Sequence, residues 1–310
     1  MYHDALQLIE ASHKITLISH TTPDGDALGS SLAFYLALKT MGKNVKIFNA
    51  TKILPQRYDF LPSFSKITHT FPKNCDLVIA FDCGSFDRLG IEKGDFKCIN
   101  IDHHKSNTGY GDINIIKTNH ASTSSVVFSM LKSLEIAISK EMAICIYTAL
   151  AEDTNFFTTK NVTKKVFSLA GKLTKRGANP ALIAQKIQQR NSLAKVRLQA
   201  LFIQSIELLH DGAIAVGEVT QEMFKKTGAL RYDTTELVDI LHDMATVEVA
   251  IFILTLPDGN YKFSLRSKEQ DVSKIATKLG GGGHHHAAGL SVKKEEKENI
   301  LQQIIKEVTI

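Results

Sequence analysis

Residues 15–48 read ITLISHTTPDGDALGSSLAFYLALKTMGKNVKIF, and this stretch decides the fold. Ile15 to Ser19 is a short run rich in β-branched and apolar residues, the pattern of a buried strand. Ala27 to Met41 sets Leu28, Leu32, Ala33 and Leu36 at helical spacing, and Gly42 is suited to end that helix. Val45 to Phe48 returns to strand character, so the stretch predicts a βαβ unit. Leu77 to Phe81 (LVIAF) and Cys98 to Ile101 (CINI) supply further strands, and LVIAF is apolar on both faces, as a central parallel strand must be. The expected class is α/β: a mainly parallel sheet flanked by helices.

Beyond Ser122 the pattern turns helical to about Leu209: a run ending SMLKSL, then KEMAICIYTALAED, two helices around Gly171 and Ile187, and a long one through Val196 to Leu209 closed by Asp211-Gly212. A second strand-rich segment follows, with AIAVGEV, TVEVAIFIL and YKFSLRS as strands and helices near Glu236 to Met244, Val272 to Leu279 and Glu295 to Lys306. The expected organisation is a first domain over 1–190, a linker helix over 191–211 and a smaller α/β domain over 212–310, with a cleft between the two domains.

A length of 310 residues suits about two domains, and 44% hydrophobic with 22% charged residues is ordinary globular usage. Disorder and a small disulfide-stapled module are excluded. The charge balance of 37 − 32 = +5 is compatible with anionic ligands but too weak for a DNA-coating protein. No stretch approaches the roughly 18–20 apolar residues of a membrane span, so no membrane partner is expected. Asp4 and Glu10 spoil any secretory signal, which places the expected location in the cytoplasm. The four cysteines form no C-x-x-C pair and fit no zinc-ligand spacing.

Three strands run into polar residues at their C-terminal ends: ITLIS into His20, LVIAF into Asp82, and CINI into Asp102-His103-His104. Ligands of open parallel sheets bind outside those ends, so these residues are expected to share one crevice. After His20, Asp24 and Asp26 flank Gly25, whose freedom at positive φ lets a tight loop aim two carboxylates at one ion. Taken alone, Asp26 reads as the N-cap of the following helix, and the other acids read as turn residues. Asp153 ends a predicted helix, where the macrodipole disfavours acids and a cation would compensate. His20, Asp24, Asp26, Asp82, His103 and Asp153 exceed the needs of one ion and match two cations about 3.5–4 Å apart bridged by a carboxylate. Without cysteine ligands, two Mn2+ ions fit this donor set best, with Mg2+ as the alternative.

H-T-T-P-D-G-D-A-L-G-S, D-C-G with Arg88 downstream, D-H-H-K-S-N, and G-G-G-G-H-H-H-A-A-G together resemble the DHH phosphoesterase superfamily, and within it the nanoRNase/pAp phosphatase group. The resemblance covers nearly the whole chain. It implies that His20 and Asp24 hold one ion, that Asp26, His103 and Asp153 hold the other, and that Asp82 bridges them. It further implies that Asp102 orients a histidine, that His104 faces the scissile phosphate, and that Arg88 and Asn107 touch phosphate or substrate. In the second domain Arg266 and Ser267 match the group's R-S pair. Gly281, Gly282, Gly283 and His284 would offer backbone N–H groups and an imidazole to an anion. One departure is that the usual D-T-G-x-F reads Asp153-Thr154-Asn155-Phe156-Phe157, with asparagine for glycine.

The expected activity is hydrolysis of single-stranded RNA fragments of a few nucleotides and of dinucleotides, and removal of the 3′-phosphate from 3′-phosphoadenosine 5′-phosphate (pAp). Competing readings are a cyclic- or linear-dinucleotide phosphodiesterase, a single-strand exonuclease of the RecJ type, a pyrophosphatase, and a catalytically silent nucleotide sensor. A homodimer is compatible with the sequence.

Overall fold

A computed structural model describes residues 2–309 as two compact units that divide after Arg190. The first contains α1 (Tyr2–Ala11), β1 (Ile15–Ser19), α2 (Gly25–Thr40), β2 (Val45–Phe48), β3 (Ile67–Thr68), β4 (Leu77–Phe81), β5 (Lys97–Asp102), β6 (Ile113–Ile116), α3 (Thr123–Ser133), α4 (Lys140–Asp153), α5 (Lys164–Lys175) and α6 (Pro180–Gln188). Its sheet has the order β3-β2-β1-β4-β5-β6, every pair parallel. The order reverses between β1 and β4, the place where an open α/β sheet splays to admit a ligand. Register completes the arrangement: Ser19 pairs with Phe81 and Phe81 with Ile101, so His20, Asp82 and Asp102 leave the sheet in one row.

LVIAF is fully buried along its length. Its Leu77, Ile79 and Phe81 join a core with Leu28, Leu32 and Phe34 of α2, Val127 and Leu131 of α3, and Ile146 and Leu150 of α4. Val78 and Ala80 face the other way onto Ile18, Phe48 and Cys98, covered by Phe71, Phe86, Phe96 and Tyr110 from loops. Each large apolar side chain so buried contributes roughly 1.5–3 kcal/mol of transfer free energy, and this double burial holds the strand ends that present the site.

The second unit contains α7 (Leu193–Gln204), β7 (Glu207–Leu209), β8 (Ile214–Val219), α8 (Gln221–Thr227), α9 (Leu237–His242), β9 (Val249–Thr255), β10 (Tyr261–Ser267), α10 (Val272–Lys278), β11 (Gly282–His284), β12 (Ala287–Val292) and α11 (Lys297–Glu307). Its mixed sheet runs β11-β12-β10-β9-β8-β7. None of the described helices is long and apolar enough to cross a membrane.

Three expectations need correction. Asp24, not Asp26, caps α2: its Oδ1 accepts from the Ala27 amide at 3.0 Å, and Asp26 sits in the first turn. The helix expected to reach Leu209 stops at Gln204, and Glu207–Leu209 pairs antiparallel with β8, because apolar residues at 208 and 209 serve an edge strand as readily as a helix. The segment expected as a linker helix carries Leu198 and Phe202, both fully buried against Ala215, Val219 and Leu241, so α7 is part of the second unit's core.

Candidate metal centre

At the end of β1 the His20 ring donates its Nδ1–H to the Thr21 carbonyl at 2.8 Å. That bond selects the tautomer whose Nε2 lone pair is available, the usual preparation of a metal-ligating imidazole. Nε2 lies 3.9 Å from Asp24 Oδ2 and 3.8 Å from Asp82 Oδ2. Asn49, following β2, donates to the Ser19 hydroxyl and to the His20 carbonyl, both at 2.9 Å, and pins the loop. Asp24 divides its oxygens between the helix cap and the His20 side. A Cβ at Gly25 would stand 1.8 Å from Glu152 Oε2, so a larger residue there would push that carboxylate off its place against Arg57 and Tyr58.

The second group is built alike. His103 sets its Nδ1 3.3 Å from the His120 carbonyl and turns Nε2 towards Asp153 Oδ2 at 3.4 Å, Asp82 Oδ1 at 3.7 Å and Asp26 Oδ2 at 4.0 Å. Asp82 therefore stands between the two imidazoles, one oxygen towards each. It does so at φ +54, a left-handed conformation that costs a non-glycine residue about 1 kcal/mol or more and is characteristic of functional sites. Asp153, at the last position of α4, faces this group. Its neighbour Glu152 meets the Arg57 guanidinium at 2.9 Å and the Tyr58 hydroxyl, so the two acids at this helix end are served separately.

The six donors fall into His20–Asp24–Asp82 and Asp26–His103–Asp153, and the ligand atoms within each group lie within 4.8 Å of one another. Two ligands bonded to one ion at about 2.1 Å stand roughly 3.0–4.2 Å apart, depending on the angle. The closest spacings, 3.4–4.0 Å, have that size and are too long for hydrogen bonds. His103 Nε2 and Asp153 Oδ2 are buried without a hydrogen-bond partner, a costly arrangement that a cation would relieve. Burial, reinforced by the Asp82 and Asp153 charges, pushes the Asp26 carboxyl well above the usual range. Burial and Asp24 push Asp82 up to about 6, and burial holds His103 down at about 4, so that ring is neutral and ready to ligate. The residues present fit a pair of divalent cations.

Asp102, fully buried, accepts at Oδ1 from the amide of His103 (2.7 Å), the amide of His104 (3.1 Å) and His104 Nδ1 (2.7 Å). Burial opposes charge on His104, but the bond to Asp102 and the Asp82 carboxylate prevail and hold its pKa up at about 9. Asn107, expected to meet substrate, is committed inside the protein. Its Nδ2 donates to Asp102 Oδ2 at 2.5 Å and to the Cys83 carbonyl, and its Oδ1 accepts from Asn100 and Gly109. It holds the D-H-H loop in place, and a motif position alone could not show which way the amide pointed. Arg88 is exposed, and its carbonyl accepts from Thr21 at 2.8 Å beside the His20 loop.

In the second unit Arg266 lies at the end of β10, its Nε 3.8 Å from Asp239 Oδ1. Ser267 is 2% exposed and its hydroxyl donates to the Gln270 carbonyl, so it braces a turn and does not face a ligand. The glycine run forms no cradle of consecutive N–H groups. Gly282–His284 is an edge strand paired antiparallel with Ala287–Gly289, so its N–H groups face alternately inward and outward. Glycine is required at 283, where φ is +152 and a Cβ would lie 2.4 Å from Ala288 Cα.

Thr123 escaped the reading of the sequence. At the start of α3 its amide donates to Asp26 Oδ2 at 2.6 Å, the Ser124 amide donates to Asp26 Oδ1 at 2.9 Å, and the Thr123 hydroxyl donates to Asp82 Oδ1 at 2.8 Å. The positive end of a helix thus grips two of the six carboxylate and imidazole donors. The A-S-T-S-S run before an apolar helix was the available signal, but it reads first as an N-cap. Thr123→Val keeps the shape and removes the hydroxyl. It is expected to weaken Mn2+ binding by about 10- to 100-fold, as loss of a partner behind a metal ligand does, with Thr123→Ser restoring it. Isothermal titration of the metal-free protein measures both.

A parallel sheet with acids and imidazoles gathered at its switch point is the arrangement of a phosphoesterase that works through metal ions, and the relatives place the chain in that class. The chain belongs to the DHH family, whose N-terminal domain matches residues 14–150, and a DHHA1 domain matches residues 219–309. It is 30% identical over 304 residues to the bifunctional oligoribonuclease and PAP phosphatase NrnA of Thermus thermophilus, covering 95% of this chain and 90% of that protein. The protein of that name from Bacillus subtilis is 25% identical, with 98% and 97% covered. Among solved structures, an exopolyphosphatase-related protein from Bacteroides fragilis superposes with a TM-score of 0.90 at 25% identity, over 99% of this chain and 95% of that one. RecJ of Thermus thermophilus in complex with Mn2+ shares the fold, with a TM-score of 0.57 at 12% identity over 98% of this chain and 53% of that one.

Proposed function

We propose that the chain hydrolyses RNA fragments of a few nucleotides and removes the 3′-phosphate from pAp, using two divalent cations with Mn2+ as the first choice. The observation that carries this reading is Asp82, which directs one carboxylate oxygen towards His20 Nε2 and the other towards His103 Nε2 at 3.8 and 3.7 Å. His20 and Asp24 would hold one ion, Asp26, His103 and Asp153 the other, and Asp82 both. When bound, such a pair supplies Lewis-acid charge and lowers the pKa of water from 15.7 towards about 7.

The remaining work falls to the chain's own side chains. Water oxygen adds to phosphorus and the P–O bond to the departing sugar oxygen breaks, so that oxygen needs a proton. His104, its Nδ1 held by Asp102 at 2.7 Å, would donate it from Nε2. Arg88 would contact the phosphate near the His20 loop. Arg266, the Gly281–Gly283 edge and His284 are proposed as contacts to the nucleotide's other phosphate. A guanidinium offers the bidentate geometry for that purpose.

The test is turnover of pAp and of RNAs from two to twenty nucleotides with Mn2+, Mg2+ or chelator. Rates falling with length and abolished by chelator are expected. Rates rising with length would overturn the short-substrate reading, and turnover in chelator would overturn the metal reading.

Protons compete with the cations. Asp82 has a folded pKa of about 6, above the value of about 3.9 of an unfolded aspartate. The folded metal-free chain therefore binds more protons between the two values, and the stability this group contributes is lost as pH rises through about 6. The rise in melting temperature on adding Mn2+ is expected to be large at pH 7.5 and to shrink towards pH 5. An increment equal at both values would contradict it.

A further inference from the structure

Two residues past Asp153, the chain does something expensive. Asn155, Phe156 and Phe157 take φ values of +42, +53 and +69, three successive left-handed residues of which two are aromatic. Asparagine tolerates that conformation, but phenylalanine rarely adopts it, so the surrounding bonds must impose it. They are present: the Asn155 amide donates to the Glu152 carbonyl at 2.9 Å, the Phe156 amide to the Ala151 carbonyl, and the Phe157 amide to Thr154 Oγ1 at 3.2 Å. The turn is tied to the helix that carries Asp153.

The strained turn positions a ring stack. Phe157 lies 5.9 Å from Tyr147 of α4 and 5.7 Å from Phe167 of α5, the second pair stacked with planes 23° apart. Phe167, the outer ring, is 58% exposed. Its helix neighbour four residues on is Gly171, where a Cβ would meet nothing within 4 Å, so no side chain shades the ring and no packing explains a glycine in mid-helix. Lys164, three residues before Phe167 on the same helical face, is exposed. Tyr147 precedes Asp153 by six helical residues, about 9 Å along the axis. The stack is thus joined to the Asp153 end of α4 by the turn, with Phe157 four residues after that donor.

An exposed flat ring, a supporting ring held by a costly turn and an ammonium group on the same helical face are the elements of a base-stacking platform for single-stranded nucleic acid. We propose that Phe167, backed by Phe157, stacks a nucleobase of the RNA substrate away from the scissile bond, with Lys164 near the connecting phosphate. The inference rests on the nuclease reading above and adds a specificity subsite to it. A protein partner is disfavoured, because the same helical face carries the Lys164 ammonium and, at Gly171, no apolar side chain.

The test compares wild type with Phe167→Ala, Phe167→Trp and Gly171→Gln, the last covering the ring without removing it. Steady-state KM is measured for tri- and tetraribonucleotides and for a trinucleotide backbone lacking bases. Fluorescence quenching of a 2-aminopurine trinucleotide is titrated with chelator present, so that binding is read without turnover. Phe167→Ala is expected to raise KM for the base-bearing RNAs about tenfold relative to the abasic one and to lose the quenching, with Phe167→Trp retaining both. Equal effects on abasic and base-bearing substrates, or undiminished quenching in Phe167→Ala, would overturn the platform. A change of molecular mass in Phe167→Ala by light scattering would identify a protein interface and overturn it too. If wild type quenches the probe but hydrolyses no RNA, the nuclease reading fails while the platform stands.

Discussion

Asp82→Asn is expected to abolish hydrolysis, with a loss on the order of 10^4-fold, the size that follows removal of one member of a constellation acting as a unit. Asparagine keeps the volume and can still accept from Thr123, so the fold has no reason to change. What disappears is the one carboxylate that faces both His20 and His103. The charged form of Asp82 is disfavoured in the metal-free chain by burial first and by Asp24 second. Neutralising it should therefore raise the melting temperature of the metal-free protein while lowering the number of ions bound at saturation. Calorimetry and metal titration read those two quantities. A variant that retains turnover, or that binds two ions with unchanged affinity, would remove the bridging role.

His104→Gln is expected to lower kcat by about 10^2- to 10^4-fold, the range of a positioned general acid, while Mn2+ affinity changes little. The reason is geometric: His104 Nδ1 is taken by Asp102 at 2.7 Å, and the ring is a third exposed, so it faces the crevice. A substrate whose leaving group is p-nitrophenolate needs no proton, and the variant should lose far less on it than on a dinucleotide. Equal losses on both would assign His104 to charge stabilisation and not to proton donation. Asp102→Asn, which removes the negative charge that helps keep the ring protonated, should follow the same pattern.

Much of this site could be read before any coordinates because its chemistry is written at strand ends. ITLIS, LVIAF and CINI are unmistakable buried strands, and a parallel register places whatever follows them side by side, so His20, Asp82 and Asp102 could be gathered from spacing alone. Side-chain direction was not legible in the same way. Asn107 and Ser267 occupy motif positions, yet both spend their polar atoms inside the fold. Asp24 and Asp26 are both good N-cap residues two positions apart, and only the backbone at Asp24 shows which one caps. Thr123 was hidden because its function lies in two bonds to residues far away in sequence, and no local pattern encodes such a bond. The glycine run misled for a related reason: a nest and an edge strand both favour glycine, and only pairing with Ala287–Gly289 distinguishes them.

The grip of Thr123 and Ser124 on Asp26 spans 97 and 98 residues of chain. A ribosome that has released the first strands and even the D-H-H segment has not yet released what restrains Asp26, nor the helix end that bears Asp153. An emerging polypeptide therefore has the His20–Asp24–Asp82 group in hand well before the Asp26–His103–Asp153 group, whose restraints arrive last. The two halves of the centre thus mature at different times, and any partial melting at the start of α3 would release the Asp26 carboxylate and loosen the second half first.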